Sequence, residues 1–421
     1  MKKKILRLFV EGKLFTELIV EGKLLFGILS FIWGIVGKIF RVIDRLIARG
    51  VRGILSSRTA VDNNVIMLIA FQGDYTDNPR AIADELIKQD LPYELVWVKK
   101  KSQRISNFPE ELTLVNRGSL EFFQYLFKSK IIIDNTHDLF RLRAKVKDEQ
   151  IYLQTWHGSL GIKRLDGEVV QGAKWDKIAK YSQESTSYCI SNSTFETEVY
   201  NTSYWKGVPT LDLGHARNDI LFSDAEKLAE IKRETLERLG VEGDKKVILY
   251  APTHRDDRPT EITLDFPEVV AAFEKRFGGE WIVLSRLHSR DKKLAAKLSR
   301  DFPDSVVDAT FYPDIQDLMI CADAGITDYS SWIFDFLFLN RPGFIYADDL
   351  AEYESGRSFY YPLEETPFPI AESSAELCTK VQSFDDPAYQ QKTVEFLEAR
   401  GCFEDGHASE RIVEKIKELL A

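Results

Sequence analysis

The sequence predicts two α/β domains built on mainly parallel sheets, facing each other across a cleft and preceded by a basic amphipathic helical arm. Three observations predict it. At 421 residues the chain is longer than one ordinary core organises. Two successive sets of short apolar runs alternate with helical stretches, as in sheets whose crossovers are helices. Residues 1–58 hold twelve Lys or Arg against four acids, a net of +8, so the remainder carries −18 of the total −10.

An apolar content of 44% with 29% charged residues is that of a globular chain, not a disordered one. The acidic body argues against a nucleic-acid partner. Cys189, Cys321, Cys378 and Cys402 are widely spaced with no Cys-x-x-Cys pair. That excludes the usual zinc frameworks and suits the reduced thiols of a cytosolic protein.

The arm comes first. Its longest uncharged run, Leu24–Gly37, falls short of the roughly 20 residues that span a bilayer, and no small-residue cleavage site follows. Ile39, Phe40, Ile43, Leu46 and Ile47 alternate at helical spacing with Lys38, Arg41, Arg45, Arg49 and Arg52. Such a helix suits the interface of an anionic membrane, each nearby cation contributing about 1 kcal/mol. The alternative is a helical arm packed on the protein's own body.

Residues 59–222 read as the first α/β domain. Buried strands are expected at Val65–Phe71, Leu95–Val98, Ile131–Asp134, Ile151–Thr155, Tyr188–Ser191 and Leu211–Leu213. Helices are expected between them at Asn78–Lys88, Ser119–Lys128 and Trp175–Gln183. A charged helix, Ser223–Leu239, ends at Gly240 and opens the second domain, residues 223–421. Its strands are expected at Val247–Tyr250, Trp281–Leu284, Val306–Asp308, Ala322–Ile326 and Phe344–Ala347, with helices over Ser374–Phe384, Ala388–Ala399 and Ala408–Leu420 closing the chain. Paired open sheets put the binding cleft at the carboxyl ends of their strands.

Polar loops follow several of those strand ends. They are Trp156-His157-Gly158-Ser159 with Lys163 and Arg164, Gly214-His215-Ala216-Arg217, Ala251-Pro252-Thr253-His254-Arg255, and Arg286-Leu287-His288-Ser289-Arg290. Four of the six histidines therefore stand in separate loops expected to converge on one cleft. A lone His in such a loop is commonly structural; four with Arg and hydroxyl neighbours make a polyphosphate receptor with a base beside it. Gly325–Pro342 completes the set: a buried strand, the turn Thr327-Asp328-Tyr329-Ser330-Ser331, then an apolar helix from Trp332, stopped by Arg341-Pro342. Free N–H groups and hydroxyls at a helix start favour an anion, although Ser before an apolar run is often only an N-cap. There is no Walker A sequence, no Gly-rich dinucleotide fingerprint and no metal-ligand spacing.

Taken in order, Gln154-Thr155-Trp156-His157-Gly158-Ser159 with Lys163, Ala251-Pro252-Thr253-His254-Arg255, Leu287-His288 and Thr327-Asp328-Tyr329-Ser330-Ser331 resemble the motifs of the CDP-glycerol glycerophosphotransferase family. Arg341-Pro342, Tyr346–Tyr353 and Asp405-Gly406-His407-Ala408-Ser409 resemble its later signatures, so the likeness runs from about residue 60 to the end. The chain departs from the family at Ser289, where Pro is frequent, and in its long basic arm.

The resemblance implies two Rossmann-like domains in a GT-B-like pair, an acceptor domain at 59–222 and a CDP-alditol donor domain at 223–421. It implies transfer of glycerol phosphate from CDP-glycerol to a hydroxyl of a lipid-linked or polymeric teichoic-acid-like or capsular acceptor, with release of CMP. It places the protein peripherally on the cytoplasmic face of the bacterial membrane. His157 is then the general base. Gly158, Ser159, Arg255, His288, Thr327, Asp328, Ser330 and Ser331 bind donor, and Lys163 and Arg217 are candidates for acceptor or phosphate. No cofactor is implied, and a divalent cation has no assignable ligand set. The alternatives are a CDP-ribitol transferase, a GT-B glycosyltransferase using a nucleotide sugar, or an anionic-glycan binder without turnover.

Overall fold

A computed structural model of the chain describes residues 49–421 apart from 143, 166–167, 169–172 and 256–259. The chain divides into two units, residues 1–60 and 61–421. Of the first, residues 49–58 are helical, with Val51 and Ile54 exposed. The alternating segment from Lys38 to Ile47, on which the membrane reading rests, lies outside the described residues.

The second unit carries two all-parallel sheets, one of seven strands and one of six. The first contains β1 (Asp62–Ile69), β2 (Glu94–Lys99), β3 (Thr113–Asn116), β4 (Ser129–Asp134), β5 (Ile151–Gln154), β6 (Tyr188–Ser191) and β7 (Thr210–Asp212), in the order 3-2-1-4-5-6-7. The second contains β8 (Lys246–Tyr250), β9 (Trp281–Ser285), β10 (Val306–Asp308), β11 (Ala324–Thr327), β12 (Gly343–Tyr346) and β13 (Ile370–Ala371), in the order 10-9-8-11-12-13. Central strands are continuous apolar runs because helices cover both faces: Val65 to Ile69 and Val247 to Leu249 are all buried. Strand order reverses between β1 and β4 and between β8 and β11. Such reversals splay the following loops to opposite faces and open a crevice at the strand ends.

The expected strands form, with differences that have local causes. β1 stops at Ile69, and Phe71–Gly73 is a 3-10 turn in which Gly73 takes φ +75°, so Phe71 leaves the sheet. Ala322 belongs to the end of helix Ile315–Cys321, and β11 begins at Ala324. β3 and β13, four and two residues long, were not expected, because edge strands this short carry no apolar run of their own.

Gly325 lets helix Trp332–Phe336 lie directly on β11; a β-carbon there would sit 2.9 Å from Ile333 Cδ1 and 3.1 Å from Trp332. A 3-10 turn, Leu337–Leu339, extends that helix, and Asn340 ends it at φ +52°. Arg341 then caps the neighbouring helix, its Nη1 donating to the carbonyls of Ile320 (2.7 Å) and Ala322 (2.5 Å).

The last helix, Ala408–Leu420, returns to the first sheet. Ile412, Val413 and Ile416 are buried in the same core as Ile66, Leu68 and Ile82. Asp219 receives its first turn, accepting from the N–H groups of Ala408 (2.9 Å) and Ser409 (2.7 Å).

Candidate functional site

A cleft of about 900 Å³ lies where the strand ends of the two sheets face each other, lined from both. On the first-sheet side it is built around His157. The Gln154 side chain, at the end of β5, accepts from Trp156 N (2.8 Å) and donates to Thr136 O (2.9 Å). Trp156 takes φ +50°, a left-handed conformation uncommon for a bulky residue, which directs the next side chain into the cleft. The indole packs in a cage of His137, Tyr204 and Trp205, with ring centroids 5.1–6.2 Å away.

His157 Nδ1 lies 2.6 Å from the carbonyl oxygen of Asn135, which follows β4. A carbonyl only accepts, so Nδ1 carries the proton and the neutral ring keeps a lone pair on Nε2. The ring is open to the cleft on one side, yet its pKa is pushed down. Desolvation by the surrounding walls is the main cause, aided by the charges of Arg217 and Arg141; the Asn135 carbonyl and Asp77 oppose it.

Arg217 is buried and holds this loop in place. Nη2 donates to Gly158 O (2.6 Å), Nε to Asp335 Oδ2 (3.1 Å) and Nη1 to Asp77 (3.4 Å). Asp335 belongs to helix Trp332–Phe336, so this arginine joins the His157 loop to the second sheet's side. Asn78 adds a second tie, donating to the carbonyls of Thr155 and Trp156 and accepting from Arg217 N. Ser159 is nearly buried and accepts from Asn192 at 2.9 Å. Lys163 pairs in antiparallel fashion with Phe359 and reaches Thr253 Oγ1 at 3.4 Å.

On the facing wall the residues separate into two ranks. Thr253, His254, Arg286, His288, Ser330 and Ser331 line the cleft. Thr327, Asp328 and Arg255 stand behind them. Thr327 is fully buried and donates to Ala251 O (2.8 Å). Asp328 accepts from Thr253 N and from Arg255 Nη1, each at 2.8 Å. Arg255 is also held by Asp349 at 2.9 Å and lies against the stacked rings of Tyr329 and Tyr353. This rank fixes the shape of the loop that follows β8.

The imidazoles of His254 and His288 stack, with centroids 4.6 Å apart and planes inclined by 23°. His254 Nδ1 is 2.7 Å from Asp291 Oδ2, which also accepts from Thr260. His288 Nδ1 accepts from Arg290 N at 3.3 Å, so its neutral ring carries a proton on Nε2. Arg286 completes the wall; burial lowers its pKa, against the charges of Asp314, Asp74, Asp317 and Asp77. The walls also approach closely at Gly161: a β-carbon there would lie 2.8 Å from Ser331 Cβ.

The structure thus brings His157, Gly158, Ser159, Lys163, Arg217, His288, Ser330 and Ser331 to one cleft. The expectation that four histidines converge there is corrected to three. His215 is buried, with Nε2 2.9 Å from Glu196 Oε2, because its loop turns into the body behind the cleft. The sequence places His254 and Arg286 in the cleft loops without an individual role, and gives no sign of Asn78, Asn135, Asp291 and Asp335. Asp291 meets His254 from 37 residues away in the sequence, and the others likewise act from distant elements.

The family model described as CDP-Glycerol:Poly(glycerophosphate) glycerophosphotransferase matches residues 53–418. A teichoic acid poly(glycerol phosphate) polymerase of Staphylococcus epidermidis is 31% identical over 375 residues, covering 84% of this chain and 50% of that protein. A teichoic acid glycerol-phosphate transferase of Staphylococcus aureus is 30% identical over 380 residues, covering 84% of this chain and 93% of its own. The chain therefore spans about half the length of the polymerase and nearly all of the transferase. A solved structure of a variant of the wall teichoic acid polymerase TagF is similar with a TM-score of 0.78 and 27% identity, covering 90% of this chain and 97% of that one. Another was determined after a soak with CDPG.

Proposed function

The chain belongs to the CDP-glycerol:poly(glycerophosphate) glycerophosphotransferase family, and from that membership we propose that it transfers glycerol phosphate from CDP-glycerol to a hydroxyl of a lipid-linked or polymeric teichoic-acid-like acceptor. CMP is the second product. The observation that carries this reading is the neutral His157, with its tautomer set by the Asn135 carbonyl, facing a wall of His254, His288, Ser330 and Ser331 across one cleft.

In this mechanism Nε2 of His157 takes the proton of the acceptor hydroxyl as its oxygen attacks the phosphorus bearing glycerol. The new O–P bond forms while the bond to the CMP oxygen breaks, and the electron pair leaves with CMP. The phosphoryl oxygens stay charged throughout, so alignment and fixed positive dipoles do most of the work. His288 Nε2–H, His254 beside Asp291, and the Ser330 and Ser331 hydroxyls supply donors to the diphosphate. Gly158 and Ser159 shape its near side, and Lys163 adds a cation from the first sheet. Arg255, Thr327 and Asp328 act through the loop they brace. Residues 59–222, completed by the last helix, Ala408–Leu420, which the expected boundary had put with the second sheet, serve the acceptor, and the residues between serve the donor.

Attachment is proposed to be peripheral, at the cytoplasmic face of the membrane through residues 1–58. Among the described residues no helix is long and apolar enough to cross a membrane. Protein lacking residues 1–58 is expected to stay in the supernatant when anionic vesicles are pelleted; co-pelleting would reject the arm as the anchor.

The deciding assay measures CMP release from CDP-glycerol and CDP-ribitol, with and without acceptor, for the full chain and His157→Ala. Acceptor-dependent CMP from CDP-glycerol, lowered by at least about 100-fold in the variant, is expected. Release of UDP or GDP from a nucleotide sugar instead would overturn the reading.

A further inference from the structure

The first-sheet lip of the cleft holds residues that the mechanism above does not use. Phe71, in the turn after β1, lines the cleft, is 43% exposed, and has its ring centroid 5.7 Å from that of His157. An exposed aromatic ring beside a base offers a large apolar face for the carbon skeleton of a bound molecule. Next to it runs the loop after β2, Lys100 to Asn107, in which Lys100, Lys101 and Arg104 place three cations within five residues. Lys100, Ser102, Gln103 and Asn107 line the cleft; Lys101 and Arg104 are exposed on the same loop.

This loop is built to a shape. The Lys99 ammonium is buried and donates to Lys100 O (3.3 Å), Gln103 O (3.4 Å) and Asn116 Oδ1 (3.3 Å). Gln103 Oε1 accepts from Lys100 N (2.6 Å), and its amide donates to Asp74. Gly73 locks loop and turn together: a β-carbon there would lie 3.0 Å from Lys100 N, and its carbonyl accepts from Trp97 Nε1 at 3.4 Å. The three first-sheet carboxylates lining the cleft are engaged, Asp74 by Gln103, Asp77 by Asn78 N and Arg217, and Glu196 by Asn192 N and His215. The second lip offers Phe311, 67% exposed and also lining the cleft.

We propose that Phe71 and the basic loop 100–104, braced from within by Lys99, form the acceptor subsite, which grips the phosphodiester next to the hydroxyl being attacked and so selects a polyanionic polyol-phosphate chain over an uncharged acceptor. The inference rests on the glycerophosphotransferase reading of the cleft and adds which residues hold the acceptor. Phe71 covers the carbon backbone of the terminal polyol beside His157, and the lysines meet the phosphate one unit back. A phosphate that must be held near a base is best met by cations on a braced loop, because the ordering cost is already met in folding.

The test compares two acceptors with the full chain: a synthetic oligo(glycerol phosphate) and an uncharged glycerol-terminated oligoether of equal length. In the triple variant Lys100→Gln, Lys101→Gln, Arg104→Gln, the ratio of KM for the charged acceptor to KM for the uncharged one is expected to rise about five- to tenfold. The salt dependence of the charged acceptor's KM should flatten as well. Phe71→Ala should raise KM for both acceptors. A ratio equal to that of the parent protein overturns the inference. So does a triple variant that loses binding to anionic vesicles with its acceptor KM intact, which would make the loop a membrane contact. If the unaltered protein releases no acceptor-dependent CMP from CDP-glycerol, the reaction reading itself falls, and that result is distinct from either.

Discussion

The carbonyl of Asn135 can only accept, and that fact settles which nitrogen of His157 is basic. Desolvation disfavours the imidazolium, so the folded pKa lies below the usual 6.5 and the ring is neutral, ready to take a proton, at lower pH than a free histidine. The acid limb of a kcat/KM against pH profile is therefore expected below pH 6.5; a limb at or above that value would contradict the assignment. Glu404 shows the opposite displacement. Burial raises its pKa from 4.5 to about 7, opposed by His215, and the pKa of His215 is itself raised, chiefly because Glu196 outweighs burial. Both groups hold protons more tightly when folded: the contribution of Glu404 is complete below about pH 4.5 and is lost as pH rises through 7, and that of His215 is complete below 6.5 and is lost above it. Glu404→Gln keeps an acceptor for His215 N and Asn218 without the charge. Unfolding at pH 8 should show it more stable than the parent by about 1–3 kcal/mol, with the gap closing at pH 5.

At the scale of elements, the site depends on how closely two loops approach. Gly161 follows the His157 loop and meets the Ser331 turn, where an added β-carbon would lie 2.8 Å from Ser331 Cβ. That neighbour is anchored to backbone and cannot swing aside, so Gly161→Ala must move one loop. A cost of about 1–3 kcal/mol is expected, together with a raised KM for CDP-glycerol. Thermal unfolding and donor titration check the two parts; wild-type values for both would show that the approach is not tight in solution. Helix Trp332–Phe336 carries Asp335 on one side and the two serines just ahead of its start, so a single short element serves both the Arg217 tie and the donor wall.

Across the whole molecule, the chain crosses between the sheets more than once. Ile416, from the last helix, is fully buried in the first sheet's core. Ile416→Ala is expected to cost about 2–5 kcal/mol and to weaken the core that positions β1, β4 and β5. Hydrogen exchange should show the loss of protection at β1, not only in the last helix. Protection lost in the last helix alone would mean that this helix frays independently of the sheet. The Arg80–Asp314 ion pair, at 2.8 Å, is another link between the two sheets' sides.

Much of this was legible in the chain itself. Buried parallel strands must be apolar runs, and turns and caps are local, so the strands, their loops and the motif residues could be placed without coordinates. His157, His288, Ser330 and Ser331 were found this way, since each follows a strand end. Tertiary structure alone decided which polar side chains face the cleft and which brace it from behind. Arg255, Asp328 and Thr327 share the loop signature of donor ligands, yet their partners Asp349 and Ala251 turn them inward. His215 reads like its three counterparts until Glu196 is seen beside it. Asn135 and Asp335 gain their roles from partners remote in sequence. Charge pairing and desolvation act through space, and a linear pattern carries no record of which residues will be neighbours.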